Sequence, residues 1–565
     1  MSMQDSNAVQ EFLGINLPHH SAMSQARLNA LGEGIRSGVT PTSLVSFSSS
    51  GIVALIGPLP SALQVVEGLD ERSTCVVIAT EGGKVGQTET RDVNGRTTAI
   101  IFGRPTSISG YLGNFEITLS REEGDIGVAK SMGLAGDAID IVLDLSREPL
   151  LTQDVLPVGY FAPRGDNDAL LIACESIPDL KGQFQKPRYV QYNADICAHG
   201  ARGIKGCRRC LDVCPADALS SLGETISVET HLCHGLGACT SSCPTGALSY
   251  SYPNRADLLN QLRRVIASFR EQTITAPSIL FFGGEEGPTE LSAAVNDLPD
   301  EVIPWKVEEL GSVGPEIWLS CLAYGAKTVM MLQTSDTPSS VLTEISTQIK
   351  QMSALISALG RPSDAIGLIA LNERFEANCR QPEARSNDDG GRFASYGGME
   401  EKRAVFRAAI DHLIDEAANV PEEISLPNGT PFGEVLIDSN KCTLCMGCVA
   451  VCPAGALIDN KERPCLSFIE WNCVQCGLCE NTCPEKAITL NPRLLADSNA
   501  RMARRVLNEE EPFKCVECGK PFTTQSMVSR MEEKLSGHRM FSGDGIRRLR
   551  LCEDCRVKDM FKDGG

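Results

Sequence analysis

Two cysteine runs in the last quarter of the chain constrain its fold more than any other feature. Both have the spacing C-x2-C-x2-C-x3-C-P, the first beginning at Cys442 and the second at Cys473. Three thiolates at this spacing can hold three irons of one cubane, while the fourth cysteine starts a helix that leads to the neighbouring cluster. A pair of zinc sites would not explain the x3-C-P ending. The runs therefore predict two [4Fe-4S] clusters with crossed ligand sets, Cys442, Cys445, Cys448 and Cys483 for one, and Cys473, Cys476, Cys479 and Cys452 for the other.

An altered copy of this pattern occurs earlier in the chain. Its first gap, between Cys197 and Cys207, holds nine residues instead of two, and this insertion is basic and rich in glycine. We expect a flexible surface loop there, the alternative being a charged loop that guides an acidic partner. The crossed arrangement predicts a third [4Fe-4S] ligand set, Cys197, Cys207, Cys210 and Cys243.

The second half of the altered copy lacks one ligand, because Leu236 stands where the second cysteine of the run is expected. We predict a [3Fe-4S] cluster there, or a [4Fe-4S] cluster whose fourth iron takes water, His234 or His231. A third alternative is that the cluster is lost and Leu236 fills the void. The ligand type matters because it helps to set the reduction potential of the cluster. The remaining cysteines of this set are Cys233, Cys239 and Cys214.

A different cysteine pattern closes the chain, with two C-x2-C pairs that are not followed by the x3-C-P ending. Gly519 after the first pair permits a tight turn around a metal, and four thiolates with no open position indicate a structural zinc site rather than another cluster. Such an ion would help to fold a segment with little core of its own. The predicted zinc ligands are Cys515, Cys518, Cys552 and Cys555.

The other five cysteines are expected to be core residues. Cys75 and Cys174 stand in strand-like apolar runs, where cysteine behaves as a small hydrophobe. Cys465 lies close enough in sequence to the last cysteine run that a contact with a ligand is an alternative. The full set is Cys75, Cys174, Cys321, Cys379 and Cys465.

Length and charge narrow the class of protein further. A chain of 565 residues predicts several domains, and its formal net charge of −20 argues against binding a nucleic acid, which needs clustered Lys and Arg. The opening residues carry no export signal, and no run approaches the roughly 18 apolar residues of a membrane helix. We therefore expect a cytoplasmic protein without direct membrane insertion, whose cysteines hold metal rather than form disulfides.

The segment before the first cysteine predicts an α/β domain. Short β-branched runs alternate there with Gly-rich turns, a pattern typical of strands. The predicted strand runs are residues 76–78, 97–102, 139–143 and 170–173.

The segment between the two pairs of cysteine runs predicts a parallel sheet of flavodoxin-like type. Short apolar strands begin at Ser278, Ala326 and Ile366, and an amphipathic helix begins at Ser339, so the order is βαβ. The acidic, Pro-interrupted stretch from Glu285 to Glu309 is expected to be a solvated loop, the alternative being a docking surface.

Three stretches resemble known families. Cys442 to Pro484 resembles bacterial 2[4Fe-4S] ferredoxins, and Cys197 to Pro244 resembles them with the two departures described above. Residues 276–372, notably EIWLSCLAYGAKTVMMLQ, are similar to the delta subunit of methyl-viologen-reducing hydrogenase. That family carries cysteines for a cluster that this stretch lacks apart from Cys321, so the resemblance implies a docking scaffold. The whole arrangement resembles multidomain 4Fe-4S ferredoxin-type proteins associated with formate dehydrogenase systems.

The predicted fold class is multidomain, α+β and α/β, with six segments. We name the last five the N-terminal domain, the first module, the central domain, the second module and the C-terminal segment. The predicted boundaries are 1–45 for a leader, 46–186 for an N-terminal α/β domain, 187–254 for a first, atypical ferredoxin-like module, 255–425 for a flavodoxin-like α/β domain, 426–495 for a second ferredoxin-like module and 505–565 for a zinc-ribbon-like segment.

Together these features predict an iron–sulfur electron-transfer protein, a polyferredoxin that relays single electrons between a dehydrogenase and an acceptor. No catalytic residue is predicted, and redox proteins are the expected partners, formate dehydrogenase or a related oxidoreductase being the one that the resemblance implies. One alternative is the iron–sulfur subunit of an oxidoreductase with an unrecognised flavin or nucleotide site in the N-terminal domain or near residues 276–372. The other is a cluster-bearing maturation or docking factor.

Overall fold

Helices, parallel sheets and short antiparallel strand pairs alternate along the chain, so the structure is a mixed α/β assembly of several units. This computed structural model describes residues 3–70, 73–134, 138–372, 375, 379, 392–460, 462–538, 541 and 543–562. Within those ranges, no helix combines the length and the apolar content that crossing a bilayer requires.

The first two helices, Met3–Leu13 and Ala22–Ile35, belong to the hydrophobic core of the central domain. The second helix begins with a capping box, in which the side chains of Ser21 and Ser24 each accept a hydrogen bond from the other's main-chain N–H. Its buried residues and those of the helix Arg255–Gln272 belong to one core. The chain therefore starts by completing a domain whose sheet lies more than 200 positions later.

Close contacts hold these helices in place. A Cβ atom at Gly34 would lie 2.3 Å from Cγ2 of Val265, so a larger residue does not fit there without movement. The fully buried Arg27 donates from Nη1 to the carbonyl of Pro299 at 3.0 Å. Residues 3–35 of the segment predicted as a leader are in the structure mostly helical, and the buried residues of both helices belong to the central core.

The N-terminal domain is built on a six-stranded sheet in which neighbouring strands are parallel except for one antiparallel hairpin at the edge. Alternate residues of its middle strands face two separate hydrophobic cores, because successive side chains of a strand point to opposite faces. In spatial order its strands are Tyr160–Phe161, Ile141–Asp144, Ile52–Gly57, Thr74–Ala79, Arg96–Phe102 and Thr88–Val93. The remaining elements are the strands Leu44–Ser49, Pro105–Ser109, Glu116–Leu119, Ile126–Gly127 and Gly182–Pro187, and the helices Leu59–Gly68, Val128–Ser131 and Asn167–Ser176.

Three of the four strand runs predicted in this domain are strands, but residues 170–173 are not. They lie in the helix Asn167–Ser176, which Asp166 caps by accepting the N–H of Asp168 at 2.8 Å. A short apolar run lacks the periodicity that distinguishes a helix from a strand. At this position the capping residue Asp166 favours the helix. The strand prediction was wrong at this position, and Cys174 lies on a helix.

The central domain contains a four-stranded sheet in which all neighbouring strands are parallel. The strand that comes first in the sequence is second in the sheet, an order that agrees with the predicted βαβ arrangement. In spatial order the strands are Val302–Lys306, Ser278–Phe282, Thr328–Gln333 and Ile366–Ala370. The helices are Arg255–Gln272, Gly287–Ala293, Pro315–Ala323, Ser339–Ala358 and Lys402–Glu416.

The stretch from Glu285 to Glu309, expected to be a solvated loop, contains a helix and the edge strand Val302–Lys306. Trp305 is 1% exposed and lies in the core, its ring 4.9 Å from that of Phe12. Pro304 is compatible with the strand because an edge strand leaves one side of its main chain unpaired. The loop prediction was wrong because the acidic residues and prolines concealed this short apolar run.

The two modules share a strand pairing that matches the repeat of the cysteine runs. Antiparallel pairs join Val190–Tyr192 to Leu248–Tyr250 in the first module and Glu434–Ile437 to Ile488–Asn491 in the second. The first module also has the strands Gly200–Ala201, Ile204–Lys205, Leu219–Leu222 and Thr225–Val228 and the helices Arg209–Asp212 and Ala238–Ser242. The second also has the strands Glu423–Ser425, Leu457–Asp459, Cys465–Phe468 and Arg493–Leu495 and the helices Gly447–Ala450 and Leu478–Thr482.

The C-terminal segment has a small core of its own and packs on the second module. Its strand Arg505–Glu509 pairs with Cys465–Phe468, and Thr524 Oγ1 donates to the carbonyl of Thr443 at 3.0 Å. The other elements are the strands Pro512–Lys514 and Pro521–Thr524 and the helices Gln525–Leu535 and Glu553–Lys562. The helix Ser498–Met502 lies between the second module and this segment.

Candidate metal centres

The eight cysteines of the second module line two separate cavities. A cavity of about 390 Å³, which we name site D, is lined by Cys442, Cys445, Cys448 and Cys483. A cavity of about 350 Å³, which we name site C, is lined by Cys452, Cys473, Cys476 and Cys479. The structure therefore brings together both crossed sets that the spacing predicts.

The main chain of these cysteine loops turns in a way that suits an anionic group. Leu444 and Met446, on either side of Cys445, have φ of 53° and 58°, and Gln475 and Gly477 take the same left-handed conformation in the second run. Non-glycine residues rarely adopt this conformation. Left-handed residues between right-handed ones turn successive N–H groups toward one point and form a concave anion site. A cluster of thiolates and sulfides is such an anion.

Four cysteines of the first module line a third cavity, of about 310 Å³, which we name site B. It also lies against apolar residues such as Ile226 and Leu248. The nine-residue insertion does not keep Cys197 away from the other three, since all four border the same space. The set is Cys197, Cys207, Cys210 and Cys243, as the spacing predicts.

The insertion itself forms a β-hairpin, Gly200–Ala201 with Ile204–Lys205, that packs on the second module. Ala198 and Leu478 are buried together in a small core, and Asn481 Nδ2 donates to the carbonyl of Lys205 at 3.0 Å. The prediction of a flexible surface loop was therefore wrong. The glycines and positive charges of the insertion resemble those of a solvated loop, but its apolar residues pack against the neighbouring module.

The loop that contains Leu236 keeps the shape of a cluster loop although it lacks the thiolate. Gly235 and Gly237, on either side of Leu236, have φ of 82° and 75°, the same pattern as in the complete loops. A Cβ at Gly237 would lie 2.4 Å from Cα of Ser312, so the central domain packs directly on this loop. Leu236 is partly buried against the core of that domain. We name the set Cys214, Cys233 and Cys239 site A.

The two histidines near site A have different surroundings. His231 stacks on Tyr111 of the N-terminal domain, with ring centroids 4.0 Å apart, and its Nδ1 lies 2.9 Å from Glu229. Burial and nearby Lys186 lower the pKa of His234 to about 4. Among the described residues, His234 Nε2 has no hydrogen-bond partner. His231 is therefore held by its neighbours, whereas His234 is a neutral imidazole with one unused nitrogen.

The four sites follow one another through the two modules. Besides the site A thiols, Cys210 and Cys243 of site B lie close enough to Cys239 to raise its pKa. Cys207 of site B does the same for Cys476 of site C. Cys448 of site D also raises the pKa of a site C thiol, that of Cys479. The order is therefore A, B, C, D, with the hairpin contact between B and C.

The donor chemistry of these sites fits iron–sulfur clusters. Burial raises the pKa of Cys210, Cys448 and Cys476 to about 12, so the thiolates need a positively charged partner. Iron would supply that charge. Among the described residues, the cysteines of these sites are not gathered as closely around one point as those of the C-terminal set, which suits a cluster better than one ion. Main-chain N–H groups also donate to sulfur, from Ala456 to Cys452 at 3.3 Å, from Ala487 to Cys483 at 3.3 Å and from Leu248 to Cys243 at 3.5 Å.

The C-terminal cysteines form a much more compact group. The sulfur atoms of Cys515, Cys518, Cys552 and Cys555 all lie within 4.8 Å of one another, as a single tetrahedral ion requires. Burial opposes ionisation of Cys515, yet main-chain N–H groups of Cys552, Cys518 and Glu517 lower its pKa to about 6. Gly519, with φ of 74°, makes the turn after the first pair. This set fits one zinc ion rather than a cluster.

The remaining five cysteines are not among the residues that line the three cavities of sites B, C and D. Cys75, Cys321, Cys379 and Cys465 are buried, and Cys174 is partly buried. The sulfur of Cys465 lies 3.7 Å from Oγ of Ser467 on the same strand. These positions are those of core residues.

Acidic side chains fill the edge of the central sheet where a flavodoxin-like fold would bind a phosphate. In open parallel sheets, ligands bind outside the carboxyl ends of strands at the point where the strand order reverses. There Asp336 accepts the main-chain N–H of Glu286 at 3.0 Å. Burial, with Asp336, Glu308 and Glu285 nearby, raises the pKa of Glu309 to about 8. A phosphate would meet like charges at this edge.

A polar cavity of about 660 Å³ lies where the first module meets the central domain. Cys243 of site B borders it, together with Lys402, Gln348 and Arg209. Sequence reasoning did not find the residues of this junction, because they come from segments far apart in the chain and carry no motif.

Comparisons with known proteins find iron–sulfur domains in the two stretches that carry the cysteine runs. Residues 204–251 match the LdpA Fe-S cluster-binding domain, and residues 434–484 match the 4Fe-4S dicluster domain. Over 86 residues the chain is 31% identical to Hydrogenase-4 component A of Escherichia coli (strain K12), which covers 14% of this chain. The chain spans 40% of the length of that relative. The protein therefore carries iron–sulfur-binding domains of the 4Fe-4S type.

Proposed function

We propose that this protein is an electron relay, in which up to four iron–sulfur clusters at sites A to D pass single electrons through the two modules. Three sites would hold [4Fe-4S] clusters on four cysteines each, and site A a [3Fe-4S] cluster or an incompletely Cys-ligated [4Fe-4S] cluster. The clusters supply the redox chemistry, and the chain holds them in order and excludes water from them.

The observation that carries this proposal is the contact between the modules at the hairpin Gly200–Lys205. A pair of independent ferredoxin units would not need a shared core, yet Ala198 and Leu478 are buried together next to Cys207 and Cys476. Cys207 of site B and Cys476 of site C, the proposed ligands, pack against the same small core. An electron that reaches one module therefore has a route into the other.

Exposure indicates where a partner would exchange electrons with the relay. Cys445 of site D is exposed, whereas each of the other sites has only buried or partly buried cysteines. We propose that a redox enzyme docks over site D. Formate dehydrogenase or a related oxidoreductase is the candidate from the sequence resemblance, and the match to Hydrogenase-4 component A supports the wider class.

A zinc ion in the C-terminal segment would have a structural role. The segment packs beside site D, and Arg530 and Lys534 pair with Glu485, which lines that cavity. We propose that the ion fixes this packing and so shapes the docking surface around Cys445.

The relay is tested with a variant that disrupts the contact between the two modules and leaves every cysteine in place. Ile204 is partly buried in the hairpin contact, so Ile204→Asp places a charge in an apolar interface. In anaerobically purified, dithionite-reduced protein we expect wild-type iron and sulfide contents but loss of the magnetic interaction between the clusters of sites B and C in electron paramagnetic resonance spectra.

The matched control is Arg202→Gly, at the exposed turn of the same hairpin, where the left-handed conformation favours glycine. This variant should keep the magnetic interaction between the clusters of sites B and C. Wild-type protein that is colourless and holds only zinc would refute the relay outright. An unchanged interaction in Ile204→Asp would show that the hairpin does not connect the two modules.

A further inference from the structure

Lys402, at the start of the helix Lys402–Glu416, places a buried ammonium group against the short helix that precedes Cys243 of site B. It is 2% exposed, and its Nζ donates to the carbonyls of Thr240 and Ser241 at 2.9 and 2.6 Å. Both carbonyls belong to the helix Ala238–Ser242, which ends next to Cys243. The central domain therefore supplies a cation to a site whose cysteines all belong to the first module.

The positive charge of Lys402 is only partly offset by its neighbours. Oε2 of Glu316 lies 3.6 Å from Nζ of Lys402, while Oε1 of the same carboxylate bonds Arg255 at 3.0 Å. One buried carboxylate is thus shared by two cations. Burial lowers the pKa of Lys402, and the nearby Glu316 carboxylate opposes that shift. With all three side chains ionised, the group carries a net charge of +1.

Lys186 of the N-terminal domain has the same relation to site A. Its Nζ donates to the carbonyl of Cys233 at 2.9 Å and to that of His231 at 2.6 Å. Glu229 is the acidic group that lies near it. Here too a domain outside the modules supplies the cation.

Arg403, the residue after Lys402, reaches site C from the same helix. Its Nη2 donates to the carbonyls of Trp471 and Cys473, the latter at 3.3 Å. Its guanidinium also lies over the Trp471 ring, 5.1 Å from the centroid. One turn of a central-domain helix therefore serves two sites in two different modules.

Site D differs from sites A, B and C in the cations that lie near its cysteines. In the part of the chain that the structure describes, no lysine or arginine hydrogen bond reaches a main-chain carbonyl between Cys442 and Cys448. Lys441 beside this loop is 60% exposed and paired with Asp438 at 3.0 Å, so water screens its charge. Arg530 and Lys534 are about half exposed and paired with Glu485.

We infer that the N-terminal and central domains set the potentials of the relay: Lys186, Lys402 and Arg403 raise the potentials of sites A, B and C, and site D is left lower than B and C. This inference rests on the proposed function. A cluster gains negative charge when it is reduced, so a buried cation nearby favours the reduced form. An electron that enters at exposed site D would then move inward.

Three single variants of the full-length, anaerobically purified protein test this inference, each followed by redox titration with electron paramagnetic resonance. Lys402→Met removes the charge and keeps an unbranched side chain. We expect the midpoint potential of one cluster signal to fall. At the wild-type midpoint, the ratio of reduced to oxidised cluster should drop about tenfold, which corresponds to a decrease of 59 mV in the midpoint potential for one electron. Lys186→Met and Arg403→Met should each lower the midpoint potential of a different cluster signal.

Two comparisons separate a charge effect from a folding effect. Glu316→Gln removes the acid that offsets Lys402 and should shift the same signal as Lys402→Met in the opposite direction. This sign remains measurable even if Lys402→Met fails to load iron. Lys402→Arg should keep the wild-type potential. Lys441→Met, which removes an exposed cation beside site D, should leave every signal in place.

The outcomes for the two proposals are distinct. If wild-type protein shows no one-electron cluster signals, the proposed function fails. The clusters can instead be present while the three variants shift no signal, all shift one and the same signal, or shift every signal equally. In each of these cases the relay stands and the inference about the cations is wrong.

Discussion

Leu236 shows at the scale of a single residue how a binding loop can change one ligand and keep its shape. Gly235 and Gly237 retain the left-handed conformations of the complete loops, and the central domain packs directly on Gly237 at Ser312. Restoring the thiolate therefore needs no change of main-chain conformation. The side chain at 236 therefore decides how many cysteine ligands site A offers.

Replacing Leu236 by cysteine should convert the cluster of site A. In air-oxidised wild-type protein we expect the paramagnetic signal of an oxidised [3Fe-4S] cluster. In Leu236→Cys that signal should disappear, and dithionite should instead produce one additional [4Fe-4S] signal, because the fourth iron gains a thiolate.

The control for this variant is Leu236→Met, which keeps an apolar side chain of similar size and should leave the spectrum of the air-oxidised protein as it is. Identical spectra of wild type and Leu236→Cys before and after reduction would contradict the assignment of position 236 to the ligand register.

The C-terminal segment shows what one metal ion can do for a small element. Its buried core cluster consists of Cys515, Leu551 and Cys552, two of which are predicted zinc ligands, and Val528 and Leu549 are the other buried aliphatic residues in the described part of the segment. So small a core cannot offset the loss of conformational entropy on folding. The packing of the helix Gln525–Leu535 near site D would then depend on the metal.

Cys515→Ser should remove zinc from the protein and leave iron unchanged. We expect zinc content by elemental analysis to fall from one ion per chain toward zero, and the C-terminal residues to become sensitive to limited proteolysis. Cys465→Ala is the control, since Cys465 is a buried cysteine outside the predicted metal sets, with its sulfur 3.7 Å from Oγ of Ser467, and both metal contents should remain as in wild type. Loss of iron rather than zinc in Cys515→Ser would assign this set to a cluster.

Across the whole molecule, the central domain is the part that joins the others. It includes the first two helices of the chain in its core, packs on the loop of site A and supplies Lys402 and Arg403 to the two modules. The position of each cysteine site therefore depends on contacts between segments that are far apart in the sequence.

Leu31→Ala tests the long-range packing of the first helices. Leu31 is 0% exposed in the central core, so its truncation should destabilise that domain by about 2–5 kcal/mol. Denaturant unfolding followed by tryptophan fluorescence suits this measurement, because Trp305 and Trp318 lie in the same core. The tryptophan transition should move to lower denaturant concentration.

Glu33→Ala on the same helix is the control, since the Glu33 side chain is 48% exposed and should change stability by less than about 0.5 kcal/mol. Equal midpoints for Leu31→Ala and wild type would mean that these helices do not contribute to the stability of the central domain.

The cysteine spacing by itself determined the local chemistry of this protein. The spacing C-x2-C-x2-C-x3-C-P is short, and the reach of so few residues dictates which thiolates can share a cluster, so the crossed sets of sites C and D follow from the sequence. The parallel strands at Ser278, Ala326 and Ile366 follow as well, because buried strands give continuous apolar runs.

Only the tertiary structure decided how these parts are connected. The insertion after Cys197 has the composition of a loop, yet it forms the contact between the modules. Residues 3–35 lack a pattern that assigns them to the central core, and the edge strand Val302–Lys306 is concealed by acidic neighbours. Lys402 reaches a carbonyl 162 positions away. Such contacts depend on packing between distant segments, whose geometry no local pattern of residues contains.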